Sequence, residues 1–449
     1  MISNAPYEIS NTQYLTPQYP MPLTNLRINE TRFLRTIDEM AQIGLLPDDA
    51  GGGRDRRPFS AADRAARRYF REAAEAGGLR VRLDQAANLS ARLECGSGDE
   101  DAPTLLIGSH LDTVPHGGAY DGALGVLAGL EVALTLKESG VRLPFHLEVV
   151  DFTDEEGRFG YFFGSRALVG GHTEASIAAF LDAAGEGEEP ADLPAMWAQV
   201  PGQLAPDAVL AARRPAESLA GYLELHIEQG PRLEAADVPI GVVSAIFGRR
   251  AWYLTFLGRA DHAGTTPLGM RADALVAASR FIAGAPERVA ALFPAAVVTC
   301  GNLTVQPGVA NVTPRQVVVS VEFRAGTNAE LDGIDEALRT LAEEAAAGPG
   351  LAAQVDARSS SHPTPMDERM QAVIQRAADS LGYATLALPS GAGHDAQMLA
   401  PITPTGMLFV PSKNGRSHSP EEYTAPEHLV AGANVLLHAV LKIATDERG

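Results

Sequence analysis

The chain has 449 residues, 45% hydrophobic and 20% charged, the make-up of a globular protein too long for one ordinary core, so two domains are expected. Its formal net charge of −20 argues against nucleic acid and anionic membrane as partners, and any anionic ligand must be met by local Arg, His or metal ions. The two cysteines, Cys95 and Cys300, lie too far apart in sequence for a CxxC zinc pair, exclude a disulfide framework, and point to a reducing, cytoplasmic location.

Residues 1–30, rich in Asn, Pro, Thr and Tyr without a clear period, read as an irregular arm, and no basic-then-apolar signal segment is visible in them. A helix is expected from about Arg32, and Gly51-Gly52-Gly53 marks a loop. Ser60 with Asp63 three residues on has the form of a capping box, opening a helix that closes at Gly77-Gly78. Strands follow at 79–83, 89–93 and 105–107, then a long helix from about Gly122, then strands at 146–152 and 222–226. The apolar stretch 122–136 is interrupted by Glu131 and falls short of a membrane span. Strands alternating with helices indicate an α/β fold with a sheet covered on both faces. Residues 182–218, rich in Gly, Glu, Pro and Ala, read as an excursion with a short helix.

Near Val243 the character changes. Trp252, Leu254 and Phe256 alternate with Tyr253, Thr255 and Leu257 as a strand. A helix at 272–283, strands at 297–304 and 317–323, and a helix at 329–347 follow. This order suggests a compact α+β insert of about 110 residues, and the earlier alternation resumes after Ser361. The expected organisation is an arm at 1–30, a main α/β domain of 31–245 and 361–449, and an inserted domain of 246–360.

Function in an open α/β sheet gathers at the carboxyl ends of its strands. Three strands run there into His110-Leu111-Asp112, Asp154-Glu155-Glu156-Gly157 and His226-Ile227-Glu228-Gln229, and Asp121-Gly122 opens the helix after the first. Imidazole and carboxylate are good ligands for zinc and similar ions. Asp121 has the chemistry to bridge two cations. Of Glu155 and Glu156, one can bind metal while the other takes a proton from the attacking water and hands it to the leaving nitrogen. Asp112 could accept the second N–H of His110 and so orient it. Each piece alone has an ordinary alternative, a polar strand end, a turn or a solvated charge run; their convergence at strand ends is what points to a metal site.

These segments, with Asp261-His262-Ala263-Gly264-Thr265-Thr266-Pro267, Pro307-Gly308-Val309-Ala310-Asn311-Val312, Gly391-Ala392-Gly393-His394-Asp395-Ala396 and Ser417-His418-Ser419-Pro420-Glu421, resemble the amidase/hydantoinase/carbamoylase family of di-zinc hydrolases. The likeness runs from about residue 60 to the end of the sequence. It implies a three-layer di-zinc hydrolase core with a mixed sheet, and a lid and dimerisation role for the insert, making the protein a homodimer. It implies that His110 and His226 complete one metal site and Glu156 and His418 a second, with Asp121 bridging, the ions being zinc, or manganese or cobalt in its place. Glu155 becomes the general acid/base and His262 the stabiliser of the oxyanion. Asn311 and Arg324 would hold a substrate carboxylate, and Gln229 its amide or ureido group. Arg324 also fits on its own terms: Val317, Val319, Val321 and Phe323 share one strand face, leaving Arg324 on the other, where a guanidinium can grip a carboxylate through two hydrogen bonds. His394 and Asp395 read equally as pocket groups or as a structural loop.

The expected reaction is hydrolysis of an N-carbamoyl-L-amino acid to the amino acid, ammonia and carbon dioxide. Allantoate and β-ureido acids are the alternatives within the family; a di-zinc peptidase or a non-catalytic amino-acid binder are those outside it. The sequence departs from the family pattern where Gly157 runs directly into Arg158-Phe159, without the usual Ser, and in the aromatic run Tyr161-Phe162-Phe163. His116, His146, His172, His362, His428 and His438 match no ligand position.

Overall fold

The computed structural model describes residues 23–48, 51–185 and 206–446. Most of the expected arm, at 1–22, and residues 186–205 of the excursion lie outside the described residues. The chain divides into two compact units, one of Met1–Ser244, Met366–Leu388 and His394–Gly449, the other of Ala245–Pro365 and Pro389–Gly393.

The larger unit opens with helices α1 (Glu30–Gln42) and α2 (Ala61–Ala76). The Ser60 side chain accepts the Asp63 N–H as expected, but the Asp63 carboxylate reaches back to the Phe59 N–H, not to that of Ser60. Its other oxygen holds Arg67 at 3.1 Å. Next come β1 (Arg80–Leu83), β2 (Leu89–Leu93), β3 (Thr104–His110), α3 (Ala123–Glu138), β4 (His146–Phe152), α4 (Phe163–Val169), α5 (Glu174–Gly185), β5 (Leu219–Ile227) and β6 (Ile240–Ile246). β3 and β4 are buried at every residue, as their unbroken apolar character requires of strands covered on both faces. α3 is buried nearly all round, its one embedded charge, Glu131, held by Arg32.

The second unit contains β7 (Gly248–Leu257), α6 (Ala274–Leu292), β8 (Val297–Gln306), β9 (Gln316–Ala325), α7 (Asn328–Ala345) and β10 (Ala352–Ser361). Its sheet runs β10-β7-β9-β8, antiparallel throughout. Alternate residues of β9 are buried and join Trp252, Leu254, Phe256, Phe281 and Leu338 in a core of its own. α6 runs nine residues past the expected end at Ala283, through Pro286. A proline removes one hydrogen bond without removing the apolar stripe, and Ala285 and Val289 remain buried on either side of it.

Back in the larger unit are α8 (Glu368–Leu381), β11 (Thr385–Ser390, ending in the second unit), β12 (Thr405–Val410) and α9 (Pro426–Asp446). α9 has the length and apolarity to cross a membrane, but most of it is buried against α3, α8 and the sheet. The sheet order is β1-β2-β4-β3-β5-β12-β6, with β4, β3, β5 and β12 parallel and the flanking strands antiparallel. This is the expected α/β core with a mixed sheet. Because β3 lies between β4 and β5 and parallel to both, all three carboxyl ends emerge on one rim.

Candidate metal centre

His110 ends β3, Glu155 and Glu156 follow β4, and His226 lies one residue from the end of β5. Asp121 sits in the turn that opens α3, and His418 in the loop between β12 and α9. The sequence separates these residues widely; the sheet order brings them together.

His110 directs Nδ1 to the Asp112 carbonyl at 3.0 Å, and His226 directs Nδ1 to the Ile227 carbonyl at 2.8 Å. A carbonyl only accepts, so each Nδ1 carries the hydrogen and each Nε2 keeps its lone pair. His226 Nε2 stands 3.0 Å from Asp121 Oδ1, and His418 Nε2 stands 2.9 Å from Asp121 Oδ2 and 3.5 Å from Glu156 Oε1. A lone pair facing a carboxylate at that distance is stable only with a proton or a cation between them. Asp121 thus offers one oxygen to each histidine, the disposition of a bridging ligand. Four overlapping groups, His110/Asp121/His226, His110/Glu155/Glu156, Asp121/Glu156/His418 and Glu224/His226/His394, bring their ligand atoms within 4.8 Å of one another. Glu156 Oε1 is buried without a hydrogen-bond partner. Mixed imidazole and carboxylate donors with an orphaned buried oxygen fit a divalent cation centre. His418 is half exposed, which leaves the centre open on that side.

The protonation behaviour follows from crowding negative charge in a buried space. Burial pushes His110 down to about 4 against the attraction of Asp121, leaving a neutral imidazole. Burial acts the same way on His226, but the hydrogen bond and charge of Asp121 outweigh it and raise His226 to about 9. The Asp121 hydrogen bond likewise raises His418 to about 9. Burial and the Asp121 charge lift Glu156 to about 8, while burial with Asp395 and Glu156 nearby lifts Glu155 well above the carboxylate range. Without cations the centre gathers protons, the positive charge that metal ions would otherwise bring.

Glu155 is buried, its Oε2 3.5 Å from His110 Nε2. The turn that carries it is clamped by Asp154, a residue at φ +52 whose carboxylate accepts the N–H groups of Arg158, Phe159 and Gly160 at 2.8–3.1 Å. Those three donors set the path of the shortened loop. For Asp112 the geometry differs from expectation: its backbone carbonyl, not its carboxylate at 3.7 Å, is the nearer partner of His110 Nδ1. The carboxylate instead accepts the Glu156 N–H at 3.2 Å. Gln229 lies at φ +56 and donates Nε2 to Asp121 Oδ2 at 3.1 Å, with its Oε1 buried and unpartnered. The His394 ring packs edge-on against His226 at 4.5 Å, so this member of the glycine-rich loop stands beside the centre.

The remaining expected site residues belong to the second unit. His262 Nδ1 accepts the N–H groups of Gly264 and Thr265 at 2.9 and 3.2 Å. Its hydrogen therefore sits on Nε2, the tautomer that can donate to an oxyanion. The Asn311 carbonyl accepts the Ala263 N–H, tying these two segments together. Arg324 gives Nε and Nη2 to Glu322 Oε1 and Nη1 to the Gly391 carbonyl, which fixes the plane of its guanidinium. Sequence reasoning missed Asp154 as a loop clamp and Glu422, whose carboxylate meets Tyr120, Asp121 and Ser417. Glu422 adjoins the exposed Glu421, and nothing in that pair of glutamates says which one is buried.

Residues 106–442 match peptidase family M20/M25/M40. The chain is 38% identical over 427 residues to an N-carbamoyl-L-amino acid amidohydrolase of Geobacillus stearothermophilus, covering 94% of this chain and 100% of that protein. It is 35% identical over 370 residues to an allantoate amidohydrolase of Bacillus subtilis (strain 168), covering 82% and 87%. Among solved structures, an amidase of the hydantoinase/carbamoylase family from Burkholderia multivorans superposes with a TM-score of 0.81 at 35% identity, covering 93% and 98%. Full-length likeness in both sequence and fold makes this chain a member of peptidase family M20/M25/M40, within its hydantoinase/carbamoylase amidases.

Proposed function

We propose that this protein is a cation-dependent amidohydrolase that cleaves a C–N bond in a small carboxylate-bearing substrate, namely an N-carbamoyl-L-amino acid. The observation that carries the reading is Asp121 standing between His226 and His418 with one oxygen toward each, beside Glu155, which neither pairing uses. The activities named for the relatives support the substrate class.

In this reading His110, Asp121 and His226 hold one cation and Asp121, Glu156 and His418 a second, with zinc suited to these donors and manganese or cobalt as substitutes. Bound there, the cations supply Lewis-acid polarisation of the scissile carbonyl and of the attacking water. Arg324 and Asn311 bind the substrate carboxylate, and Gln229 Oε1 accepts a carbamoyl N–H. Glu155 takes the proton of the attacking water and delivers it to the leaving amine. His262 Nε2–H donates to the oxygen that gains negative charge. Asp112 holds the Glu156 backbone, and His394 walls the pocket beside His226. The carbamate product then breaks down to ammonia and carbon dioxide.

We further assign the insert a lid and dimerisation role. β8 is an edge strand with Val297 and Leu303 exposed, a surface suited to pairing with a second copy. Free Cys95 and Cys300 accord with a cytoplasmic location. The test is ammonia release from N-carbamoyl-L-amino acids, allantoate, β-ureido acids and dipeptides, with zinc, manganese or cobalt supplied separately. Cation-dependent ammonia from the carbamoyl amino acids is expected. Dipeptide cleavage without ammonia would assign a peptidase, and binding without any product would overturn the enzymatic reading.

A further inference from the structure

Glu422 is a buried carboxylate, 5% exposed, that belongs to none of the ligand groups of the centre. Its Oε1 accepts the backbone N–H groups of Tyr120 at 2.8 Å and Asp121 at 3.1 Å, and its Oε2 accepts the Ser417 hydroxyl at 2.8 Å. One side chain therefore joins the segment that carries Asp121 to the residue just before His418, across some three hundred positions of sequence. Gly118 makes room for it: an added Cβ would stand 1.9 Å from Oε1. The neighbouring Tyr423 packs edge-on against Tyr120 at 6.4 Å, so the same two loops also meet through apolar surface. His418 itself is held at φ +54, a conformation a non-glycine residue keeps only with support from its surroundings.

The hydroxyl of Ser417 sharpens the argument. It has one hydrogen and two carboxylates in reach, Glu422 at 2.8 Å and Asp121 Oδ2 at 3.3 Å. Donation to the nearer Glu422 spares Asp121 Oδ2 a second hydrogen bond beside the one from Gln229 Nε2, and so leaves it a lone pair for His418 and whatever lies between them. We infer that Glu422 is a positioning residue that holds the Asp121 segment and the His418 loop in register and draws the Ser417 hydrogen away from the bridging carboxylate. This rests on the cation-centre reading above. The replacement Glu422→Gln makes the device visible. The amide oxygen can still accept both N–H groups, but its NH2 must donate to Ser417 Oγ, which turns the hydroxyl hydrogen onto Asp121 Oδ2 in competition with a cation.

The experiment measures zinc and manganese affinity by equilibrium dialysis on metal-free full-length protein, for wild type, Glu422→Ala, Glu422→Gln, Gly118→Ala and Asp121→Ala. Thermal unfolding of the metal-free proteins and the visible absorption of the cobalt forms are recorded alongside. Glu422→Ala should weaken affinity about 10–100-fold, the usual effect of losing a group that orients a ligand. Glu422→Gln should lose less and unfold at the wild-type temperature when metal-free, yet show an altered cobalt spectrum, which a purely structural role would not produce. Gly118→Ala, which displaces the carboxylate without removing it, should follow Glu422→Ala and serves if that variant does not fold. Wild-type affinity and spectrum in both Glu422→Gln and Gly118→Ala would overturn the positioning role while leaving the centre intact. A wild-type protein that takes up no cation, equal in this to Asp121→Ala, would overturn the centre itself.

Discussion

Under the proposed mechanism, replacing Glu155 by Gln should separate catalysis from cation holding, because the amide keeps the shape of the side chain and loses only its charge and basicity. The two groups proposed to hold the cations, His110/Asp121/His226 and Asp121/Glu156/His418, do not include Glu155, although it also adjoins His110 and Glu156, so under that proposal cation content should stay at the wild-type level. Removing a positioned acid/base lowers turnover by about 10²–10⁴-fold, which is about 3–5 kcal/mol of barrier at 1.36 kcal/mol per tenfold. Stability should move the other way. Burial beside Asp395, Glu156 and Asp112 raises the Glu155 pKa in the folded protein. For a carboxyl with a raised folded pKa, stability is full below the unfolded value and falls as pH rises from that value toward the folded one, because the charged form is penalised only in the fold. Each unit of that rise costs about 1.4 kcal/mol, or about 1–2 °C in unfolding temperature for a chain of this size. Gln never charges, so the metal-free variant should unfold at higher temperature than metal-free wild type at pH 8 and show little difference at pH 4. The assays are ammonia release, elemental analysis and thermal unfolding after chelation. Undiminished kcat would remove Glu155 from the mechanism, lost cations would make it a ligand, and equal metal-free stability at pH 8 would refute the electrostatic reasoning.

Gly122→Ala should strain the centre through its scaffold. Gly122 lies at φ +64, and an added Cβ would stand 2.4–2.5 Å from three atoms of the His110 ring, so a backbone cost of about 1–2 kcal/mol adds to an overpacking cost of about 1–3 kcal/mol. Calorimetric unfolding and cation affinity should both fall; no change in either would mean that the ring has room to move. Glu148→Gln should destabilise by about 3–5 kcal/mol by leaving the largely buried Arg214 without its partner. Burial pushes Glu148 up, but the Arg214 charge and hydrogen bonds outweigh it and hold the pKa below 4.5. Its stabilisation is therefore present above pH 4.5 and lost as pH falls through the folded value, so acid unfolding curves of wild type should fall toward those of the variant; a gap that persists at pH 2 contradicts this. Arg324→Lys should raise KM about 10-fold or more with a smaller effect on kcat, since one ammonium cannot reproduce the fixed fork on Glu322 and the Gly391 carbonyl. An unchanged KM would separate Arg324 from the substrate carboxylate.

How far the centre could be read from sequence depended on the range of the physics involved. Strand ends carry their own signal, because apolar runs that stop at His110, Thr153 and His226 state where the sheet delivers polar groups. The alternation along Gln316–Ala325 likewise put Arg324 opposite Phe323 with no knowledge of the sheet. His418 had no such signal: it lies in an exposed loop after the last strand, and only its match to a family motif singled it out. Asp112 shows a different limit. Its identity suggested a carboxylate partner for His110, yet the backbone carbonyl is nearer, and the turn of one peptide decides between them. The Asp154 clamp and Glu422 were hidden because acidic neighbours, Glu155 and Glu421, look the same in sequence whether buried or solvated.

Burial alone does not mark the functional carboxylates here, since the scaffold buries many; the partner does. Glu131 is held by Arg32, Glu148 by Arg214, and Asp63 and Asp151 by Arg67. Asp121, Glu155 and Glu156 have only imidazoles within ion-pair distance among the described residues. Arginine charge is permanent, so it suits carboxylates whose task is to stay put. Asp151 accepts the Leu111 N–H while buried Arg56 donates to the Leu111 carbonyl, both at 2.9 Å, so the residue that follows His110 is held through both its N–H and its carbonyl. A carboxylate already neutralised in that way could not bind a cation or move a proton. Among the described residues the fold therefore pairs its scaffold carboxylates with arginines and those of the rim with histidines, which can exchange a proton for a metal ion.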